Sequence, residues 1–140
     1  MTESCPLCEA MGEKVILSKK DFRVIRVADP EFPGYFRIIW NDHIKEMSDL
    51  PPEKRMLLWE TLNQVERAMI QTMHPEKINL AEFGTMVPHL HWHLIARFRD
   101  DPTFPDSYWS PRRREVKAPT LEKRRKQAEC CEKLIKELLS

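Results

Sequence analysis

The chain has 140 residues, of which 41% are hydrophobic and 32% are charged, and its formal net charge is +1. This composition is typical of one globular domain with a moderate core. No apolar run approaches the roughly 18 residues needed to cross a bilayer, so no membrane partner is expected. The first nine residues are polar and unlike a signal peptide, and four cysteines without a secretion signal favour the reducing cytoplasm.

The first half of the chain predicts a hairpin followed by a helix. Residues 22–28 alternate and are rich in Val and Ile, which is typical of a strand. A turn over residues 29–34 leads into a second strand over residues 35–40. Two consecutive prolines at positions 51 and 52 open a helix, which ends near His74, expected as a solvated C-terminal cap. The apolar residues of this helix recur at spacings of three and four: Leu58, Leu62, Val65, Met69 and Met73.

The second half predicts two more strands and a last helix, without internal repeats. The strands cover residues 78–83 and 90–98, and a proline-bearing surface segment follows over residues 100–119. Thr120 is expected as the N-cap of the last helix. One face of that helix is apolar and comprises Ala128, Cys131, Leu134, Ile135 and Leu138.

A basic run lies between positions 112 and 126, with eight Lys or Arg residues against two glutamates. Such a run could attract phosphate-rich ligands or nucleic acid. No interleaved aromatic residues or nucleic-acid motif accompany it, so a solvated linker and helix face is the favoured interpretation. No nucleic-acid partner is therefore expected.

Three of the five histidines of the chain are clustered at the start of the predicted strand 90–98, at positions 89, 91 and 93. A strand repeats every two residues, so the three imidazoles are expected on one face and the apolar residues between them on the other. Imidazole titrates near neutrality and can act as nucleophile, acid, base or metal ligand. A purely structural role would be a costly way to build a core, so this pattern favours an active site.

The segment His89-Leu90-His91-Trp92-His93-Leu94-Ile95 resembles the defining pattern of the histidine triad (HIT) superfamily, and its bacterial members in particular. The preceding residues 79–88, the hairpin strand over 33–40 and the exit over 96–98 are also similar, so the resemblance covers roughly residues 5–109. It implies an α+β fold with a mostly antiparallel sheet of about five strands, a central helix and a C-terminal helix. We expect a HIT domain over residues 1–110, a basic linker and helix over 111–140 packed on the same domain, and a homodimer.

The resemblance also implies an activity and its residues. HIT enzymes are nucleotide hydrolases or nucleotidyl transferases, here acting on the α-phosphate of a dinucleoside polyphosphate, a nucleoside phosphoramidate or a related conjugate. His91 would attack the phosphorus and form a covalent nucleotidyl-histidine. His93 would donate a hydrogen bond to a non-bridging phosphate oxygen, and His89 completes the catalytic triad. The implied substrate-binding residues are Asn79, Gly84 and Thr85.

Two positions depart from the family pattern. Tyr35 stands where many members have a further active-site histidine, and its hydroxyl is a poor base at neutral pH. Met86 stands where many have a Ser or Thr that assists the leaving group, and methionine donates no proton. A non-catalytic nucleotide-binding or interaction protein of the same fold is therefore the alternative. A catalytic metal on the three histidines is a third hypothesis, but their strand carries no matching carboxylate. Trp109 aligns with an aromatic residue near the nucleotide pocket of relatives.

Cys5 and Cys8 form a second motif, with a spacing that suits two ligands of a tetrahedral zinc. Redox motifs share this spacing, and unmetallated thiols are the alternative. The resemblance implies a structural zinc held by Cys5, Cys8, His43 and His89, which withdraws His89 from free titration.

Overall fold

The computed structural model describes residues 5–9 and 13–140; residues 1–4, which begin the polar N-terminal segment, lie outside the described part. Its elements in chain order are helix α1 Pro6–Glu9, strands β1 Lys14–Ser18, β2 Phe22–Arg26 and β3 Tyr35–Trp40, a 3-10 turn Met47–Asp49, helix α2 Pro52–Met73, strands β4 Lys77–Ala81 and β5 His91–Arg97, and helix α3 Ala118–Leu139. The strands form one sheet in the order β1-β2-β3-β5-β4 with antiparallel neighbours. The predicted α+β fold with five strands, a central helix and a C-terminal helix is confirmed.

The two long helices cover one face of the sheet. Alternate strand residues point to that side, such as Val24 of β2, Ile38 of β3 and Leu94 of β5, all of them fully buried. Each large apolar side chain buried in this way contributes about 1.5–3 kcal/mol relative to exposure. The intervening residues of the same strands point to the other side of the sheet, where they are available for a site. All five predicted core residues of α2 are buried against the sheet: Leu58, Leu62, Val65, Met69 and Met73.

Helix α3 belongs to the same core as α2. Its predicted core residues Ala128, Cys131 and Ile135 are buried, but Leu138 is exposed and Leu139 packs on the core in its place. The helix begins earlier than predicted, with its N-cap at Lys117 instead of Thr120. Proline is tolerated in the first turn of a helix, where its missing N–H has no helical partner, so Pro119 does not delay the start. The domain boundary at residue 110 stays a prediction.

Other element boundaries also differ from the predictions. Strand β1 was not predicted, nor was the short helix α1. The predicted strand over residues 78–83 ends at Ala81, and the predicted strand over residues 90–98 begins at His91. The segment over residues 100–119 is only partly on the surface, since residues 101–103 are buried. His74 is the exposed C-cap of α2, as predicted, with a left-handed φ of 50°.

Local ion pairs neutralise much of the basic run at 112–126. Arg112 pairs with Glu31, and Arg124 pairs with Asp100 at 2.5 Å. Further pairs join Arg113 to Asp106 and Arg125 to both Glu122 and Glu129. These contacts are those of a solvated linker and helix face. Within the two described ranges of the chain, no helix has an apolar stretch long enough to span a membrane.

Candidate active site and metal-binding cluster

The candidate site lies on β3 and β5, on the face of the sheet opposite the two long helices. In the antiparallel pairing of β3 with β5, Arg37 lies opposite His93 and Ile39 lies opposite His91. His91 and His93 are 7% and 5% exposed, and their ring centroids are 4.8 Å apart. Residues directly opposite one another in antiparallel strands hold their side chains within contact distance. The register therefore brings two imidazoles and one guanidinium to the same place.

The ring of His91 is fixed by the chain that precedes its strand. Its Nδ1 lies 2.6 Å from the carbonyl oxygen of His89, and a carbonyl only accepts, so Nδ1 carries the proton. Burial lowers the pKa of His91, opposed by this hydrogen bond and assisted by the positive charge of Arg37. The imidazole is therefore neutral near pH 7, and its Nε2 holds a free lone pair.

His93 is oriented by a hydrogen-bonded chain that runs through Tyr35 to Arg37. The Tyr35 hydroxyl accepts a hydrogen bond from Nη2 of Arg37 at 3.3 Å and lies 2.6 Å from Nδ1 of His93. Tyr35 is fully buried, and among the described residues Nδ1 of His93 is the acceptor available for its proton. Burial raises the pKa of Tyr35, so the hydroxyl keeps that proton. His93 is thus protonated on Nε2, ready to donate there.

The charge of His93 is suppressed by its surroundings. Burial lowers its pKa to about 3, with further contributions from the neighbouring His91 and Arg37. Both histidines of the site are therefore neutral at physiological pH, one offering a lone pair and the other an N–H. This division of roles is what nucleophilic attack on an anionic phosphoryl group requires.

The first histidine of the triad, His89, precedes the strand and has different partners from His91 and His93. The His89 backbone N–H donates to the Val87 carbonyl in a turn, and β5 begins only at His91. The predicted strand therefore contains His91 and His93, whereas His89 lies in the turn before it. Its Nε2 donates to the Trp40 carbonyl at 2.5 Å, which fixes the tautomer and turns Nδ1 toward the N-terminal cysteines.

Cys5, Cys8, His43 and His89 form a four-ligand cluster. Their ligand atoms lie within 4.8 Å of one another, with sulfur–nitrogen distances of 3.2–3.6 Å and a His43–His89 nitrogen distance of 3.1 Å. A tetrahedral zinc with Zn–S near 2.3 Å and Zn–N near 2.0–2.1 Å separates its ligands by roughly 3.3–3.8 Å. The donor set and its spacing fit a closed Cys2His2 metal site.

The N-terminal segment that supplies the cysteines is also held by an arginine of β2. Arg23 donates to the Leu7 carbonyl at 2.5 Å and forms a two-pronged ion pair with Glu13. The Leu7 side chain packs on Ile25 and Ile39, on the same sheet face as His91. The segment thus forms one wall beside the histidines.

A cleft of about 520 Å³ opens over His91 and His93. This volume lies within the range of small-molecule sites. Phe83 and Trp109 are about half exposed, and their rings meet edge to face at 4.9 Å, with Trp109 also 5.2 Å from the His93 ring. The cleft is also lined by Pro6, Leu7, Arg37, Gly84, Thr85, Met86, Val87 and Ser107.

A second groove, of about 580 Å³, lies beside α3 and is lined by paired charges, such as Arg125 with Glu122.

Of the three predicted substrate-binding residues, Gly84 and Thr85 line the cleft, whereas Asn79 does not. Asn79 lies on β4, and its side-chain oxygen accepts a hydrogen bond from Arg97 at 2.9 Å. Arg97 in turn forms a buried ion pair with Asp101. Asn79 therefore helps to hold the end of β5, and its predicted contact with substrate stays a prediction.

Sequence reasoning missed Arg37. Its signal was present, because it is the one charged residue of the strand Tyr35–Trp40 and lies two positions from Tyr35. Alternation places both on one face. Only the pairing of β3 with β5 reveals that this face is the histidine face.

Fold and site together define a class: an α+β protein with a neutral histidine pair in a cleft on an antiparallel sheet, beside a Cys2His2 cluster. A family model described as the HIT domain matches residues 9–100, well over half of the chain. The chain belongs to the HIT family. Among curated proteins, no sequence matches it.

Solved structures agree on the fold. A histidine triad protein from Marinobacter aquaeolei VT8 has a TM-score of 0.73 at 23% identity, over 92% of this chain and 93% of that one. A Zn-bound histidine triad family protein from Mycobacterium smegmatis has a TM-score of 0.67 at 21% identity, over 96% and 95%. A HIT family hydrolase from Legionella pneumophila Philadelphia 1 has a TM-score of 0.54 at 22% identity, over 74% and 100%.

Proposed function

We propose that the protein is a nucleotide hydrolase or nucleotidyl transferase that acts through a covalent adduct on His91. The observation that carries this proposal is the hydrogen bond from Nδ1 of His91 to the His89 carbonyl, in a cleft large enough for a nucleotide. It leaves Nε2 unprotonated at neutral pH, which is the state a nitrogen nucleophile needs. Membership of a family that includes a hydrolase supports the class of activity.

The reaction divides one displacement into two. The Nε2 lone pair of His91 bonds to the α-phosphorus, and the bond from phosphorus to the leaving group breaks with its electron pair on the leaving group. Water then adds its oxygen to phosphorus while the nitrogen–phosphorus bond breaks. One water proton passes to solvent, and a nucleoside monophosphate and free His91 remain. A second acceptor in place of water would make the same adduct a transferase intermediate.

Neighbouring groups stabilise the phosphoryl oxygens. We assign to His93 the donation of its Nε2–H to a non-bridging oxygen, since the Tyr35 hydroxyl occupies its other nitrogen. Backbone N–H groups at Gly84 and Thr85 are assigned to the same phosphate, because both residues line the cleft. The exposed rings of Phe83 and Trp109 offer a surface for stacking a nucleobase.

Trapping of the adduct tests the proposal. Protein mixed with a radiolabelled nucleoside phosphoramidate or dinucleoside polyphosphate and quenched in alkali is expected to carry label on His91. Acid should release this label, because phosphoramidates hydrolyse readily in acid. A panel of nucleotide conjugates then identifies the substrate by turnover. The absence of both adduct and turnover across the panel would remove the enzyme hypothesis.

A non-catalytic nucleotide-binding protein is the second candidate. Met86 lines the cleft, is 96% exposed and has no proton to give a leaving group. Binding of nucleotides to a protein that neither traps label nor turns over any conjugate would support this candidate.

We further propose that Cys5, Cys8, His43 and His89 hold a structural zinc. The support is that their four ligand atoms lie within 4.8 Å of one another and that a Zn-bound protein has the same fold. Zinc would join the N-terminal segment to the start of β5 and so stabilise the carbonyl that orients His91. Protein purified without added metal is expected to contain about one zinc per chain.

Cysteine variants test the zinc proposal. Cys8→Ser should lose most of the metal, whereas Cys130→Ser, which changes an exposed thiol on α3, should keep it. Near-zero zinc in the wild type, or equal zinc in both variants, would contradict the proposal.

A reducing compartment would keep these thiols available, and the cytoplasmic location stays a prediction.

We also propose a homodimer. The support is that β4 lies at the edge of the sheet and that α2 carries exposed apolar residues, including Met56, Trp59 and Ile70. Exposed strand edges and apolar patches are common sites of association. Light scattering of the purified protein should give twice the chain mass of 16.7 kDa, and a monomer mass would overturn the proposal.

A further inference from the structure

Arg37 is a fixed cation inside the cleft. It lies at the centre of β3, opposite His93, and lines the same cleft as His91 and His93. An arginine side chain stays protonated at any pH that a protein tolerates. Near pH 7 the cleft therefore presents the positive charge of Arg37 beside two neutral imidazoles.

The described residues do not neutralise this cation. Among the described residues, no carboxylate lies within 4 Å of its guanidinium, although Arg23 is paired with Glu13 and Arg97 with Asp101. Among the described residues, its Nη2 donates a hydrogen bond to the Tyr35 hydroxyl, and its guanidinium lies 5.4 Å from the centre of the Tyr35 ring. Its Nε is buried and has no acceptor in the described part of the chain.

Such an arrangement is costly for the protein alone. Arg37 as a whole is half-buried, but its Nε is buried, and a buried donor without an acceptor loses free energy. Arg23 and Arg97 lie on the same sheet face and are each paired with a carboxylate, whereas no carboxylate of the described residues pairs with Arg37. An anion supplied by a ligand would complete its coordination.

We propose that Arg37 binds the phosphate chain of the leaving group and selects nucleotide conjugates that contain an oligophosphate. This inference rests on the proposed function, in which His91 attacks the α-phosphorus and His93 contacts its oxygens. When the phosphorus–oxygen bond to the next phosphate breaks, its electron pair stays on that leaving phosphate. The terminal phosphate thereby gains negative charge, which a neighbouring guanidinium stabilises.

An amine leaving group makes a different demand. When a phosphorus–nitrogen bond breaks, the departing nitrogen needs a proton, and arginine does not release one. Arg37 therefore assists an oligophosphate leaving group and gives no help to an amine. The same residue distinguishes the two substrate classes that His91 alone would accept.

Paired kinetics of an Arg37→Gln variant test the proposal. The substrates are a dinucleoside tetraphosphate and a phosphoramidate of the same nucleoside. We expect kcat/KM for the tetraphosphate to fall by about 100-fold, and for the phosphoramidate by less than about 5-fold. Equal losses on both substrates would overturn the proposal, since Arg37 would then act on the shared α-phosphate or on the structure of the site.

The matched control is Arg99→Gln. Arg99 has a 77% exposed side chain, so this variant removes the same charge away from the cleft and should keep both activities. Arg37→Lys retains the charge but not the two-pronged geometry of the guanidinium. Its kcat/KM should fall by about 10-fold for the tetraphosphate and stay unchanged for the phosphoramidate. If thermal unfolding shows that Arg37→Gln does not fold, the lysine variant provides the test. Its loss of kcat/KM on the tetraphosphate is then compared with its loss on the phosphoramidate.

Binding of inorganic tripolyphosphate separates this proposal from the proposed function. Calorimetry with the full chain is expected to show binding that weakens by about 10-fold or more in Arg37→Gln and is unchanged in Arg99→Gln. If the wild type turns over no conjugate, the proposed function fails, and this titration still tests the anion site. No binding by the wild type, or equal binding by Arg37→Gln, would overturn the Arg37 proposal.

Discussion

Replacement of His91 by glycine is expected to lower kcat/KM for nucleotide hydrolysis by about 10⁴-fold or more. Removal of a covalent nucleophile costs this much in other enzymes, because the remaining groups can only assist direct attack by water. The neutral His91 presents Nε2 to the cleft, and among the described residues that line it the other imidazole is His93. His93 points its lone pair at Tyr35 and has none free for attack.

Added imidazole should restore part of this activity, because the glycine variant leaves a space of the right shape beside the His89 carbonyl. The control is His74→Gly, which removes an exposed histidine at a left-handed position that glycine accepts without strain. This control should keep wild-type kinetics. A His91→Gly variant with more than about 1% of the wild-type kcat/KM would show that His91 is not the nucleophile.

The histidine pattern was sufficient to predict the fold family, and two of its histidines, His91 and His93, line the candidate cleft. It could not predict how the three imidazoles diverge, because that depends on the turn before β5. Periodicity treats His89 as a strand residue, whereas its backbone bonds to Val87 and its ring bonds to Trp40. The carbonyl of His89 thus orients His91, while its ring contacts Cys5 and Cys8.

Strand β1 shows a second limit of pattern reasoning. Of its five residues only Ile16 is buried, and its pairing with β2 shifts register between Val15 and Leu17. Such a short, half-exposed edge strand lacks a clear alternation. The start of α3 was misplaced for a different reason, since proline can occupy the first turn of a helix as well as precede it.

Arg37 illustrates what only the tertiary structure supplies. The sequence around a lone arginine in a hydrophobic strand does not show which residues it contacts. Those contacts, and hence its role, depend on which strand lies beside it. The order β2-β3-β5 places it against the triad, in contact with the hydroxyl that sets the His93 tautomer. Arg37 and the histidines could each be found in the sequence. That they lie side by side could not, because it depends on the pairing of β3 with β5.

Replacement of Asp101 by asparagine is expected to lower the free energy of unfolding by about 3–5 kcal/mol. The Asp101 carboxylate accepts two hydrogen bonds from Arg97, at 2.8 and 3.0 Å, and both side chains are almost fully buried. It also accepts from the backbone N–H groups of Phe98, Thr103 and Phe104. Asparagine keeps the shape but loses the charge, which leaves the Arg97 cation buried and uncompensated.

The same contacts predict how this effect depends on pH. Burial opposes ionisation of Asp101, but the Arg97 and backbone hydrogen bonds outweigh it and hold its pKa below the ordinary value. Its contribution is therefore fully present above the unfolded-state pKa of about 3.9 and is lost as pH falls through the lower folded-state value. The stability difference between the wild type and Asp101→Asn should be constant near neutrality and narrow below about pH 4.

Chemical denaturation at pH 7 and at a series of acidic pH values measures both effects. The matched control is Asp100→Asn, whose side chain is 57% exposed and pairs with Arg124, and which should change stability by less than about 1 kcal/mol. A loss of stability in Asp101→Asn no larger than in this control would show that the Arg97 pair does not hold the end of β5. The segment after Asp101 carries Trp109 to the cleft, so the destabilised variant should also bind nucleotide more weakly than the control.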